Sequence, residues 1–290
     1  MGARRLWRFL TQNPLAFLGV AVIAVSVAVA LLAPRLPIPD PLHQDLASRL
    51  KGPSAQHWLG TDNFGRDVLS RVVWGGRVSL FVGIISVAIG ALVGVALGIN
   101  SGYFGKGVDA VIMRITDILL SFPPLLLALA ICAAMGSSLW NVIVAISIVS
   151  VPRFSRLARV SVLSVKELEF VEAARALGQS SMKIIAFHVL PNVLSPLLVL
   201  ATLWIPGAII TEASLSFLGL GVMPPTATWG NMISEGKSYV KNAPWIAMGS
   251  GLAIVLVVMA FNFVGDAVRD AFDPRLKGER DLGPNFTQGG

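Results

Sequence analysis

"VSLFVGIISVAIGALVGVALGI", Val78 to Ile99, runs for 22 residues without a charge. A hydrocarbon core about 30 Å thick is crossed by about 20 apolar residues in an α-helix, so this stretch reads as a membrane span. Within it Ser86, Gly90, Gly94 and Gly98 put a small residue at every fourth position. Such rows let two helix backbones approach closely in lipid. The stretch therefore predicts a tightly packed helix pair, within the chain or against another subunit.

The whole composition agrees. The chain is 54% hydrophobic and 13% charged, whereas a soluble domain carries about 25% charged residues. Uncharged apolar runs recur at Leu15–Ala33, Val78–Ile99, Ile118–Met135, Leu139–Val151, Val193–Ile210 and Trp245–Val264. Joined as one helix, Ile118 to Val151 would be about 50 Å long at roughly 1.5 Å per residue, too long for the bilayer. A hairpin breaking at Gly136-Ser137-Ser138 fits. The expected fold is an all-α membrane protein with six transmembrane helices and both termini on one side.

Arg4, Arg5 and Arg8 before the first run assign that side to the cytoplasm under the positive-inside rule. With this topology 15 of the 23 Lys and Arg fall inside, in Met1–Asn13, Gly102–Asp117, Pro152–Pro191 and Ala267–Gly290; six of the other eight lie between Pro34 and Arg77. The net charge of +7 is accounted for by topology, and so apolar a chain argues against nucleic-acid binding. The first run is longer than a usual signal h-region and lacks a small-residue cleavage site, so an uncleaved anchor is expected. Cys132, the one cysteine, allows no internal disulfide and reads as a small buried apolar residue.

Between spans one and two, Pro34, Pro37, Pro39 and Pro41 favour extended backbone. The following segment, "GTDNFGRDVLSRVVWGG" (Gly60–Gly76), predicts an amphipathic surface helix. Asp62 would be its N-cap, Gly75-Gly76 its stop, Phe64, Val68 and Val72 its apolar stripe, and Asp67–Arg71 an i, i+4 pair. Pro123-Pro124 in the third span, and Pro196 and Pro206-Gly207 in the fifth, break or bend helices. Broken helices in membranes survive where protein or water satisfies the freed backbone groups, so Pro123, Pro124, Pro206 and Gly207 are candidate gate or pathway positions, with an ordinary kink as the competing reading. Glu212 joins them as an intramembrane acid, although its place near the end of the fifth span points to simple solvation at the interface.

"EAARALGQSSMKIIAFHVLPN", Glu172–Asn192, is polar and helix-forming between two apolar runs. Ser164-Val165-Lys166-Glu167 reads as a capping box and Gly178 as the stop of a helix of about 13 residues. Glu169, Glu172 and Arg175 gather on one face, with Phe170, Val171, Ala174 and Leu177 opposite. Ser180-Ser181 would cap a second short helix, Met182–Val189, and Pro191 would start the fifth span. Two short helices about a glycine turn make a compact knob that transmits force better than a flexible loop. A membrane-surface hairpin with no partner has the same pattern.

Here the residues resemble a family. Glu172-Ala173-Ala174, Gly178 and Leu190-Pro191 match the EAA loop of ABC importer permeases. "LGTDNFGRDVLSR" (Leu59–Arg71), "FVEAARALG" (Phe170–Gly178), "HVLPN" (His188–Asn192), "EASLSFLGLGV" with "PPTATWG" (Glu212–Gly230) and "FNFVGDAVRDAFDPR" (Phe261–Arg275) look like the second permease of dipeptide and oligopeptide importers. His188 stands where the general EAA pattern has Ile, and Phe187 replaces a basic residue common before that His. The resemblance implies a type I ABC importer permease of MetI-like transmembrane fold in a bacterial or archaeal inner membrane. It implies three parts: residues 1–77 with the first helix and an outer loop, a five-helix core 78–266 holding the EAA loop 153–191, and a cytoplasmic tail 267–290. It further implies that Glu169, Phe170, Glu172, Ala173, Ala174, Arg175, Leu177, Gly178, Leu190 and Pro191 meet a cytoplasmic ATPase.

Implied partners are a second homologous permease, two ABC ATPase subunits, an extracytoplasmic peptide-binding protein and membrane lipid. No G-x-x-x-x-G-K-[ST] phosphate loop occurs; "GNMISEGKS", Gly230–Ser238, has one residue too many between its glycines. The chain is thus expected not to be an enzyme, to have no catalytic or metal site and no cofactor of its own, and to leave ATP and Mg to the ATPases. His43, His57 and His188 are too dispersed for a metal site. Nickel or another small solute is the alternative cargo. An ion-coupled secondary transporter would need mid-span acids or an inverted repeat, and a structural scaffold would not explain the knob.

Overall fold

The computed structural model describes residues 13–272. Arg4, Arg5, Arg8, the tail beyond Phe272 and hence the end of the Phe261–Arg275 motif lie outside the described residues. The elements are α1 (Pro14–Leu32), α2 (Val68–Phe104), α3 (Lys106–Leu120), α4 (Pro124–Met135), α5 (Leu139–Val165), α6 (Glu169–Ala176), α7 (Ser181–Ile184), α8 (Leu190–Phe217), α9 (Trp229–Gly236) and α10 (Trp245–Phe272). Among the described residues there is no sheet, only an isolated antiparallel bridge, Thr61 to Asp67. Five helices are long and apolar enough to cross a membrane, and six spans result if α3 and α4 count as one broken span.

The packing centre is the row seen in the sequence. A Cβ on Gly90 would lie 2.6 Å from that of Ser150, one on Gly94 2.6 Å from that of Phe154, and one on Gly98 would overlap the Ser155 carbonyl. Positions rise together on both helices, so α2 and α5 run parallel with their backbones in contact. Ser147 adds an interhelical hydrogen bond, its Oγ donating to the Ser86 carbonyl at 3.1 Å. The small-residue face is therefore used within the chain.

Two expected boundaries move, and one break falls where it is expected. The 60–76 segment is no separate surface helix: α2 begins at Val68, capped by Asp67, whose carboxylate accepts from the Ser70 N–H at 2.7 Å, and passes through Gly75-Gly76 without stopping. Those glycines instead admit Trp229, since a Cβ on Gly76 would sit 2.9 Å from its ring. The third run breaks where its prolines predict, Pro123 and Pro124 turning the chain by 92° between α3 and α4. Pro124 lies where its missing donor is harmless, at the first turn of α4. The fourth run is longer than expected, as α5 continues through buried Pro152 to Val165. The break at Gly136-Ser137-Ser138 is where the sequence puts it: Gly136 has φ +85°, and Ser138 caps α5 by accepting from the Asn141 N–H at 3.1 Å.

Two ends of the bundle result. The loop end holds residues 33–67, α9 and the chain after α8; the knob end holds the α2–α3 turn, α6 and α7.

Candidate coupling knob and loop end

The knob is shorter than its sequence suggests. Ser164 is in the last turn of α5 and donates to the Val160 carbonyl at 3.3 Å, so it does not cap α6. That helix spans only 8 residues, with Leu168 at its N-cap and no side-chain cap. Its end is as expected. Gly178 adopts φ +76°, and the Gln179 N–H donates to the Ala174 carbonyl at 3.1 Å while the Gly178 N–H donates to that of Arg175 at 3.0 Å. This is the Schellman pattern, which closes the orphan carbonyls of the last turn. A Cβ on Gly178 would meet nothing within 4 Å, so backbone conformation alone asks for glycine.

Of the four apolar residues assigned to one face, only Val171 and Ala174 are buried; Phe170 is 43% and Leu177 82% exposed. Glu169, Glu172, Ala173 and Arg175 are exposed as well. The predicted two-faced helix is therefore anchored by a narrow stripe and presents both charged and apolar side chains outward. Met182 at 76% and Phe187 at 74% exposure extend that apolar surface. Val171, Ala174, Ile184 and Val189 belong to the same apolar cluster as the span residues Val149, Phe154 and Val193. The knob is thus seated on the apolar core of the bundle.

α7 does not end before the next span. It runs into α8 through a wide π-helical turn, Ile185–Val189, and Ser180 makes no side-chain cap. The turn has a local cause, since Pro191 has no N–H and its ring crowds the carbonyl four residues back. Asn192 Nδ2 donates to the His188 carbonyl of this turn at 2.7 Å. His188 also pairs through Nε2 with Gln179 Oε1 at 3.1 Å, and its ring lies 6.3 Å from that of Phe170. One histidine thus ties the glycine turn and α6 to the start of α8.

A contact the sequence did not signal braces the same end. Arg159 of α5 donates from Nε and Nη2 to the two Asp109 oxygens at 2.6 and 2.7 Å, and Ser101 Oγ donates to Oδ1 at 2.5 Å. The planar guanidinium suits this two-pronged contact. It fixes α3 across the ends of α2 and α5. Fifty residues separate Asp109 from Arg159, a distance no local pattern reads.

At the loop end, the 60–71 segment forms a charged knot. Asp62 Oδ2 accepts from Arg66 Nε at 2.6 Å and from Arg71 Nη1, and Oδ1 accepts from the Phe64 and Arg66 N–H groups. Glu235 of α9 accepts from Arg66 Nη2 at 2.8 Å and from Arg71 Nη1 at 2.9 Å. Arg71 therefore does not pair with Asp67, which instead binds His57 Nδ1 at 2.9 Å. Two acids balance two guanidinium groups, three of the four side chains being almost fully buried. The near phosphate-loop pattern of Gly230–Ser238 starts within α9 and contributes Glu235 to this knot.

The candidate gate positions disperse. Pro123 and Pro124 are exposed at the α3–α4 bend, while Pro206 is buried within an unbroken α8 beside partly buried Gly207. Glu212 contradicts its expected solvation: it is 0% exposed, with Oε1 accepting from Ser216 Oγ at 2.8 Å. The helix end that counting places near the interface is covered by the chain beyond it. Cys132 is fully buried. His43, His57 and His188 sit apart, and no group of three His, Cys, Asp or Glu suited to a metal occurs among the described residues.

Comparison with known proteins accounts for this layout. Residues 94–278 match the family described as binding-protein-dependent transport system inner membrane component, and residues 3–53 match the N-terminal TM domain of oligopeptide transport permease C. The chain is 45% identical over 274 residues to the dipeptide transport system permease protein DppC of Alkalihalophilus pseudofirmus, covering 94% of this chain and 90% of that one. It is 44% identical to the glutathione transport system permease protein GsiD of Pectobacterium atrosepticum, over 94% and 91% of the two chains. It is 42% identical to the probable D,D-dipeptide transport system permease protein DdpC of Escherichia coli K12, over 96% and 93%. In fold it matches a chain of the inward-facing MetNI methionine ABC transporter, with TM-score 0.58 at 20% identity, over 71% of this chain and 98% of that one. Small-residue packing of α2 on α5, the broken third span and the knob are thus the parts of a transport permease, and the chain belongs to the family of binding-protein-dependent transport system inner membrane components.

Proposed function

We propose that this chain is the permease subunit of an ATP-driven importer for dipeptides or oligopeptides, forming half of the pathway with a second homologous permease. The cargo reading rests on the relatives, whose names give dipeptide, glutathione and D,D-dipeptide as what they carry. An extracytoplasmic binding protein would deliver the peptide to the loop end. Two ATPases, using ATP and Mg, would bind at the knob end. Both termini would then be cytoplasmic.

The observation that carries the coupling role is a knob packed on the bundle core with an uncovered apolar surface. Val171 and Ala174 seat α6 on the bundle, yet Phe170, Leu177, Met182 and Phe187 stand exposed beside Glu169, Glu172 and Arg175. Exposed apolar groups rimmed by charge mark a protein contact. Leu190 and Pro191 hold the wide turn that aims the knob, and Ala173 keeps the α6 surface low. Closure of two ATPases would tilt the knobs and rock the helices they continue into, alternating access as rigid-body switches do. The bend at Pro123-Pro124 and the Pro206-Gly207 step are the proposed flexible points.

The cargo is tested by uptake in a strain lacking this subunit, complemented with the chain and offered di-, tri- and oligopeptides and nickel. Restored peptide uptake is expected. Restored nickel uptake alone would overturn the peptide reading.

A further inference from the structure

Glu212 is fully buried among helices that approach from three directions. Ser216 Oγ donates to its Oε1 at 2.8 Å and accepts from the Val222 N–H at 3.4 Å. Ser79, on α2, and Thr228, which caps α9, are fully buried as well. Each of these two also accepts a backbone N–H, Ser79 from Trp229 at 3.3 Å and Thr228 from Asn231 at 3.1 Å. Three buried hydroxyls thus each spend a lone pair on the chain beyond α8, and the proton of one of them, Ser216, goes to Oε1 of Glu212, whose Oε2 is buried with no partner in bonding distance. An acceptor so enclosed is worth most to the donors around it, because no water competes.

The same chain is pressed against α8 where side chains would forbid it. A Cβ on Gly221 would overlap Ser216 Oγ, and one on Gly230 would overlap the Ala213 carbonyl. Val222 and Ala227 are buried, whereas Met223 through Thr226 are exposed. Residues 218–228 therefore form a strap, pinned at both ends and open at its middle, lying across the loop end.

We propose that Glu212 is the positioning residue of this strap: its carboxyl fixes the Ser216 hydroxyl that accepts the Val222 N–H, and so holds residues 218–228 in the register transport requires. The significance for transport rests on the permease reading above, in which the loop end receives the cargo. The fastening itself does not.

The test uses the assembled, detergent-solubilised transporter in a Cys132→Ala background, with a single reporter, Val222→Cys, and a water-soluble maleimide. Val222 is 8% exposed, and slow labelling is expected. Glu212→Leu, which keeps volume and loses the acceptor, is expected to speed labelling about tenfold. Glu212→Gln, which keeps an oxygen for Ser216, is expected to restore most of the protection and of the maximal uptake rate. Met223→Cys, already 52% exposed, should label alike in all backgrounds. If Glu212→Leu yields no assembled transporter, Ser216→Ala, which removes both bonds at that hydroxyl, serves in its place. Equal labelling in every background, or no rescue by Gln, overturns the proposal. Failure to import peptides with labelling as expected would instead sink the cargo reading and leave the strap standing.

Discussion

Gly178 is required for its backbone alone, and that makes it a sharp probe. A side chain there has room but must occupy the left-handed region, at a cost of about 1–2 kcal/mol. Gly178→Val is expected to open the end of α6 and weaken co-purification of the partner ATPases and uptake, with the bundle intact. Glu172 faces outward from the same short helix. Glu172→Lys reverses a charge on the proposed contact and is expected to reduce substrate-stimulated ATP hydrolysis in the reconstituted complex; unchanged stimulation would remove Glu172 from the contact. Gly178 was legible in the sequence because a left-handed stop leaves a glycine after a helical pattern. Burial of Glu212 was not, since the residues that cover it come from α2 and from beyond α8.

At the scale of elements, the α2–α5 pair is the strongest local commitment. Gly98→Leu would drive a side chain into the Ser155 carbonyl and the Ala158 methyl, and overpacking of this kind costs about 3 kcal/mol. Gly107→Leu, on α3 with nothing within 4 Å, is the matched control and is expected to be neutral. Thermal aggregation of the solubilised protein separates the two. In the charged knot, Asp62→Ala leaves Arg66 and Arg71 without their shared acceptor; removing one partner of a buried pair costs about 3–5 kcal/mol. The same thermal assay is expected to fall, with limited proteolysis opening residues 33–67 first. The glycine row announced its own use, since period four at constant small size has few other meanings in lipid. The knot did not: Asp67 and Arg71 fit an i, i+4 rule, but a distant acid, Glu235, outbids that rule by completing a neutral square.

On the scale of the whole molecule, the spans were readable because the bilayer imposes one length on every crossing. Their ends were harder. α2 and α5 run past their apolar stretches because helix continues wherever backbone bonds can, and hydropathy marks only where lipid begins. The knob's surface obeys the same logic in reverse: an amphipathic pattern states which residues could be covered, while only the folded chain shows that Leu177 and Phe170 are left outside. Their cover by a partner ATPase is the central claim. Leu177→Cys in a Cys132→Ala background, labelled with a membrane-impermeant maleimide, tests it most directly. The account predicts no labelling from outside intact cells, labelling of the solubilised permease alone, and about tenfold slower labelling once the partner ATPases are bound. Labelling from outside the cell, or an unchanged rate with the ATPases bound, would contradict it.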